Sequence, residues 1–299
     1  MNKTIPFVTI CIAAYNEAAN IRTVLLDVIH QAETTWRRAE ILVYADGCTD
    51  QTIHHALTVP GVTVIDGAQR KGKIAGIASM VRQATGDVII LFDADIRLEG
   101  TDVISHLVDT LYSDDTVVLV GANSRPFPPT SFIERAVYST FLVFDASRSL
   151  SGGNTIFGCT GAGIAMRRQF AFSLQWPAYV LNDDDFLFFS CKQAGYAFRY
   201  DDRAIVRYKL PKTITDYIRQ TFRSHPRAAQ ISLSTQFGPM VADAYRRPIG
   251  FYLGSIFRSF RIYPIETVYI MLVNLCVMPL YGYVTSRYRL DWFTAVSTK

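Results

Sequence analysis

The sequence predicts an α/β domain with a mostly parallel central sheet, followed by a helical C-terminal extension. Three observations carry this. Short β-branched apolar runs alternate with segments of helical period up to about residue 121. Polar clusters follow several of the apolar runs directly. The last third changes to basic and aromatic composition.

Phe7–Ala14 is short, apolar and β-branched, and reads as the first strand rather than as a signal peptide, because Pro6 interrupts the apolar run. Asn20–Gln31 places Ile21, Val24, Leu25 and Val28 at helical spacing. Glu40–Tyr44 is a second strand. Thr49–Thr58 is a helix with Thr49 or Asp50 as its cap. Val62–Ile65 is a third strand, Lys73–Thr85 a helix and Asp87–Phe92 a fourth strand. Thr101–Ser113 is a further helix, followed by the strand Thr116–Gly121. Pro126, Pro128 and Pro129 mark a loop, and Ser131–Arg148 an aromatic helix. A helix over Phe186–Ala194 follows three acids, 183–185, which read as its capping cluster.

Charge divides the chain. Residues 203–299 carry a formal balance of +10 and residues 1–202 one of −6. A basic rear suits phosphates or an anionic membrane surface, and no nucleic-acid recognition motif accompanies it. Five cysteines, none in a C-x-x-C pair, read as reduced buried thiols and argue against a zinc site. The glycine-rich stretch 151–163 lacks the phosphate-loop pattern and reads as a turn or a place of close backbone approach.

In a parallel α/β sheet, ligands bind beyond the carboxyl ends of the strands. Tyr15-Asn16-Glu17, the 46–50 segment DGCTD, and Asp93-Ala94-Asp95 all lie there. Asp93 and Asp95 are two apart in extended chain and converge on one side. Two close carboxylates repel unless a cation neutralises them. Mg²⁺ or Mn²⁺ held by one or two carboxylates, with phosphate and water completing the shell, accounts for this pattern.

The segment 268–284, VYIMLVNLCVMPLYGYV, would extend roughly 25 Å as a helix, short of a bilayer core of about 30 Å. Arg258 and Arg261 precede it, and Arg287 and Arg289 follow. It reads as an interfacial or re-entrant membrane element, a buried or oligomer-forming helix, or a span.

These motifs resemble those of family-2 glycosyltransferases with the GT-A nucleotide-sugar fold. AAYNEAANI (13–21), ADGCTDQT (45–52), RKGKIAGIAS (70–79), FDADIRL (92–98), GCTGAGIAMRRQF (158–170) and NDDDFLFFSCKQAGY (182–196) match the family's motifs in order. The resemblance implies that the first two motifs, with Ala14, Tyr15, Glu17 and Asp46, hold the nucleoside, Asp46 accepting from the uracil ring. It implies Lys73 beside the diphosphate or ribose, Asp93 on ribose or metal, and Asp95 on the metal. Asp184 would be the general base, with Asp183, which stands where the family has Glu, as the alternative catalytic carboxylate one position away. Gln220 and Arg223 resemble the Q-x-x-R-W motif of membrane-bound members and would lie near donor diphosphate or acceptor. Ser224 replaces that motif's tryptophan, which speaks against a polymer-making role. His225 is a candidate third metal ligand. Trp176 is a candidate for stacking on a sugar or for core packing.

The expectation is an inverting transferase that needs Mn²⁺ or Mg²⁺ and moves a sugar from a UDP-sugar to a lipid-linked or other amphipathic acceptor, at the cytoplasmic face of a membrane. Its expected parts are a catalytic domain (1–212), an amphipathic helical segment (213–261) and a hydrophobic membrane-associating or oligomerising helix (262–299). The alternatives are a soluble homo-oligomeric transferase acting on a glycan or protein, a nucleotidyltransferase, and a non-catalytic membrane-binding scaffold.

Overall fold

The strand Phe7–Ala14 (β1) lies inside a sheet and is buried from Val8 onward, so its near-continuous apolar run has a partner on both edges. This comes from a computed structural model that describes residues 5–224, 233–247, 249–280 and 296–298. The chain packs as two units. One combines residues up to Arg125 with Gly158–Tyr208, and the other combines Pro126–Phe157 with Lys209–Thr298.

The first unit is built on an eight-stranded sheet. After β1 come β2 (Arg37–Asp46), β3 (Val62–Gly67), β4 (Val88–Asp93), β5 (Ile96–Leu98), β6 (Val117–Pro126), β7 (Gly163–Arg167) and β8 (Ala197–Tyr208). Their order is β3-β2-β1-β4-β7-β6-β8-β5. β1 runs parallel to β2 and β4, and β2 parallel to β3. The parallel arrangement stops there: β7 is antiparallel to both β4 and β6, and β5 to β8. The expectation of a mostly parallel sheet therefore holds for one half only. A parallel neighbour needs a crossover connection, usually a helix, and the β-α-β alternation from which parallel pairing was inferred ends at β6. β7 and β8 escaped sequence assignment because one is only five residues long and the other interleaves charged and apolar side chains.

The helices of this unit are α1 (Ile21–Ile29), α2 (Thr52–Leu57), α3 (Lys73–Gln83), α4 (Val103–Leu111), α6 (Arg168–Ser173) and α7 (Asp183–Gln193). α5 (Phe132–Ser149) belongs to the second unit. α2 starts later than expected, and Asp50 supplies its first acceptor, taking the Thr52 amide at 3.0 Å. α7 starts earlier, so the three acids form its first turn instead of preceding it. Acids are favoured there by the helix dipole. Trp36, Phe92, Phe186, Phe189 and Phe198 are the largest fully buried side chains.

The register of the parallel half decides where the site lies. Ala13 of β1 pairs with Tyr44 of β2 and with Asp93 of β4, and Asp46 of β2 pairs with Gly67 of β3. The carboxyl ends of β1, β2 and β4 thus finish level, and the polar loops leave from one rim.

The second unit contains α5, α8 (Ile214–Ser224), α9 (Met240–Tyr245), α10 (Ile249–Ile262) and α11 (Pro264–Val277). α11 is 14 residues long, about 21 Å, and a 3-10 turn at Met278–Leu280 follows it. The rest of the 268–284 segment lies outside the described residues. Among those described, no helix is long and apolar enough to cross a membrane. The cysteine expectation is corrected in part: all five thiols are free, but Cys48 is half-buried and Cys276 exposed.

α5 begins with a capping box that sequence reading passed over, Ser131-Phe-Ile-Glu134. The Glu134 carboxylate takes the Ser131 amide at 2.8 Å, and Ser131 Oγ takes the Glu134 amide at 3.2 Å. Thr130 adds its amide and hydroxyl to the same carboxylate. Burial opposes ionisation, but the Thr130 and Ser131 hydrogen bonds overcome it and hold Glu134 down to about 2. A carboxylate depressed in the folded state stabilises it above its unfolded pKa, and that stability fades as pH falls through the folded value. Glu134→Gln is therefore expected to cost about 1 kcal/mol in urea unfolding at pH 7. The gap between wild type and variant should stay full above about pH 4.5 and close towards about pH 2.

Candidate active site

Lys73, the first residue of α3, sits between two carboxylates from different elements. Its Nζ lies 2.7 Å from Asp93 Oδ1, at the end of β4, and 2.9 Å from Asp183 Oδ2, at the start of α7. Gly161 makes room for this. A Cβ there would come 2.8 Å from the ammonium and 3.7 Å from oxygens of both aspartates. The glycine-rich stretch is thus a place of close approach, and the group it admits is a lysine. Burial works against the ammonium, but Asp183 and Asp93, with Asp184 behind them, outweigh it and keep Lys73 protonated above its ordinary range. Burial raises Asp93, Lys73 opposes that rise, and Asp95 and Asp183 add to it.

The three acids of α7 have different partners. Asp183 holds Lys73. Asp185 is buried and accepts from Asn182 Nδ2 at 2.7 Å. Asp184 is less enclosed, and it accepts the Gly161 amide on one oxygen and the Asp185 amide on the other, both at 3.0 Å. Burial first, then its neighbours Asp185 and Asp183, push Asp184 up to about 8. A carboxylate with that proton affinity has the property a general base requires at neutral pH.

Asp95 stands beside this cluster between β4 and β5, half-exposed, with Ala94 buried next to it. Among the described residues no hydrogen bond or ion pair engages Asp95, and no three or more His, Cys, Asp or Glu side chains are arranged to hold a metal ion by themselves. A two-carboxylate oxygen set fits a hard divalent ion that takes its remaining ligands from phosphate and water. His225 lies outside the described residues.

The first two motif loops clasp each other. Asn16 adopts a left-handed conformation (φ 52°), and its Oδ1 takes the Thr49 amide at 2.8 Å. The Glu17 amide reaches Thr52 Oγ1 at 2.8 Å, and the buried Glu17 carboxylate accepts from Asn20 Nδ2 at 2.8 Å. Ala14 is buried at the end of β1. Asp46 departs from expectation. It is fully buried, and its two oxygens take the amides of Lys71 at 2.7 Å and Gly72 at 2.9 Å. The amides before a helix N-terminus lack backbone acceptors, and the carboxylate at the end of β2 supplies them. In this arrangement Asp46 shapes the 70–72 loop and is not open to a uracil ring. The loop carries Arg70, which sequence reading did not single out. Its guanidinium lies 3.9 Å from the centroid of the Tyr15 ring. The basic run Arg70-Lys71-Gly72-Lys73 was the available signal.

Other candidates belong to the second unit or have structural roles. Gln220 is half-buried on α8 of the second unit, and Arg223 belongs to the same helix. The Trp176 indole N–H donates to the Ala171 carbonyl at 3.0 Å, and its ring packs near Phe186. This assigns it to packing.

Removing one partner of an enclosed ion pair leaves the other charges uncompensated. Lys73→Met is expected to destabilise the fold by about 3 kcal/mol. Millimolar Mn²⁺ should raise the melting temperature of the variant more than that of the wild type, as read by thermal unfolding with and without the ion.

A sequence profile described as glycosyl transferase family 2 matches residues 9–172. No curated protein matches the sequence. Similar solved structures include a mannosyltransferase from Pyrobaculum calidifontis in complex with GDP-Man and Mn²⁺. It is 20% identical, with a TM-score of 0.59 over 96% of this chain and 77% of that one. Mannosyl-3-phosphoglycerate synthase from Rubrobacter xylanophilus is 16% identical, with a TM-score of 0.58 over 78% and 76%. Glucosyl-3-phosphoglycerate synthase from Mycobacterium tuberculosis, in complex with Mn²⁺, UDP-Glc and phosphoglyceric acid, is 16% identical, with a TM-score of 0.54 over 75% and 79%. At these identities the likeness is one of fold. The profile match covers more than half of the chain, and the protein belongs to the glycosyl transferase family 2.

Proposed function

We propose that the protein is a metal-dependent, inverting glycosyltransferase that moves a sugar from a nucleoside diphosphate to a hydroxyl or phosphate of a lipid-linked or other amphipathic acceptor at a membrane. The observation that carries this reading is the joining, through Lys73, of Asp93 beside Asp95 with the α7 turn that holds Asp184. A donor-side carboxylate pair and a proton acceptor on one rim are what direct displacement at an anomeric carbon requires.

Asp95 and Asp93 would hold a divalent ion, which when bound supplies positive charge to a leaving diphosphate. Lys73 adds a permanent cation to the same place. Asp184 takes the proton of the acceptor hydroxyl as the new glycosidic bond forms and the bond to the diphosphate breaks. One carboxylate suffices for a single displacement, and this supports inversion at the anomeric carbon. The Gly161 amide fixes the orientation of Asp184. Asp183 and Asp185, tied to Lys73 and Asn182, are positioning residues.

The base of the donor is a separate question. A UDP-sugar is the sequence expectation, and one similar structure holds UDP-Glc while another holds GDP-Man. The engagement of Asp46 with backbone amides removes the specific reason to favour uracil. A panel of UDP- and GDP-sugars with and without Mn²⁺ tests the reading. It should find one donor whose diphosphate is released in an Mn²⁺-dependent way, and no release from any donor would sink it. A cytoplasmic membrane face is supported by the basic second unit, whose residues 126–157 and 209–298 sum to a formal charge of +7.

Two substitutions should separate the roles. Asp95→Ala is expected to weaken donor binding in Mn²⁺ more than tenfold by calorimetry. Asp184→Asn should leave donor binding within about threefold while lowering kcat by about 10²- to 10⁴-fold. The pH dependence has a definite sign. A general base acts deprotonated, and burial favours its neutral form, so kcat/KM should climb with pH and level off above about 8. A profile already flat from pH 5.5 would count against Asp184 as the base.

A further inference from the structure

The helices of the second unit leave much apolar surface exposed. α10 and α11 pack with α5, and they bury hydroxyl side chains there, Ser255 at 6% exposed, Ser259 at 1% and Thr267 at 3%, alongside Ile270 and Val277 of α11. Ser255 Oγ donates within α10 to the Phe251 carbonyl at 2.9 Å, and the other two hydroxyls reach α5. Ser259 Oγ donates to the Ser139 carbonyl at 3.0 Å, and Thr267 Oγ1 to Ser139 Oγ at 3.1 Å. The outward faces are aliphatic and aromatic. Leu253 is 64% exposed, Phe257 66%, Ile265 71% and Leu275 70%. On α11, Ile265, Val268, Leu272 and Leu275 follow one another at helical spacing, so their exposed side chains form a continuous stripe. In water, burial of apolar surface drives packing, and an exposed stripe of this kind is unfavourable. Helices surrounded by hydrocarbon show this pattern, with small residues and hydroxyls between them and apolar residues outside.

Charge identifies the occupant. Arg258 and Arg261 are exposed on α10 and line a groove of about 350 Å³ with Gly254, Phe257 and Ile262. The only acid in residues 249–280 is Glu266, and it is engaged by Arg135 at 2.7 Å. A second copy of the chain meeting this face about a two-fold axis would bring arginine against arginine with no free carboxylate from either side. An anionic lipid headgroup supplies the missing charge, and the acyl boundary below it accepts the aliphatic side chains. At about 21 Å each, the two helices are suited to lying in one leaflet, not to crossing two.

We infer that the exposed face of α10 and α11 is a monotopic docking surface for an anionic bilayer, with Arg258 and Arg261 at the headgroups and the Leu253–Phe257 and Ile265–Leu275 rows in the acyl boundary. This deepens the membrane side of the proposed function and does not depend on the transfer chemistry.

The test is co-sedimentation of the full chain with vesicles of phosphatidylcholine alone or mixed with phosphatidylglycerol. Wild type should bind the mixed vesicles. Leu253→Gln with Leu275→Gln should lower partitioning more than tenfold. Arg258→Gln and Arg261→Gln should each lower it about fivefold, on anionic vesicles only, and the difference should vanish in high salt. A Phe257→Trp variant should be quenched by brominated acyl chains, which reads insertion even if a polar variant folds poorly. No binding to anionic vesicles, equal binding by wild type and variants, or a wild-type dimer that the leucine pair disperses without any vesicle binding would overturn the inference. Nucleotide-sugar binding measured alongside separates the two readings. Donor binding without docking sinks this face alone, whereas docking without donor binding sinks the transferase reading and leaves the face.

Discussion

One ammonium group holds the candidate site together. Lys73 is the meeting point of β4, α3 and α7, and without its charge Asp93, Asp183 and Asp184 would face one another in a poorly solvated place. Like charges at that separation raise each other's pKa values. The cation opposes the rise that burial imposes on Asp93, while Asp184, which has no direct cation partner among the described residues, is pushed up to about 8 by burial and by Asp185 and Asp183. A single ammonium thereby ties the end of β4 to the first turn of α7. Gly161 is part of the same device, because any side chain there would compete for the space of the ammonium.

The backbone around this cluster has a second constraint. The loops after β1 and β2 close on each other through Asn16, Thr49, Glu17 and Thr52, and Asp46 closes the loop before α3 by accepting two amides. Polar backbone at the end of a sheet must find partners, and here the motif side chains supply them. The motifs of the family thus do structural work in this chain before any donor arrives. This also moves attention from Asp46 to Tyr15 and Arg70, whose stacked pair lies on the same loops.

The second unit follows different physics. Buried serine and threonine hydroxyls join its helices beside apolar side chains, and α10 and α11 expose aliphatic side chains with arginines at hand. The acidic front and basic rear of the sequence correspond in the main to these two units.

Much of the architecture was legible in the residues. The β-α alternation to residue 121, the apolar periods of α1, α3 and α4, and the D-A-D step at the end of β4 follow from local pattern, because strand and helix periods are written in consecutive side chains. The antiparallel half was not legible, since pairing direction is a property of connections and not of a strand's own composition. The joining of Lys73 to Asp93 and Asp183 was equally out of reach: the three are separated by 20 to 110 residues, and only the fold sets their distances. Sequence alone thus determined which chemistry this chain can carry, through the acids and basic residues it places at strand and helix ends. Tertiary structure decided which acid pairs with the cation, which is left to take a proton, and which is consumed by the backbone, because charge interactions depend on separation in space and not along the chain.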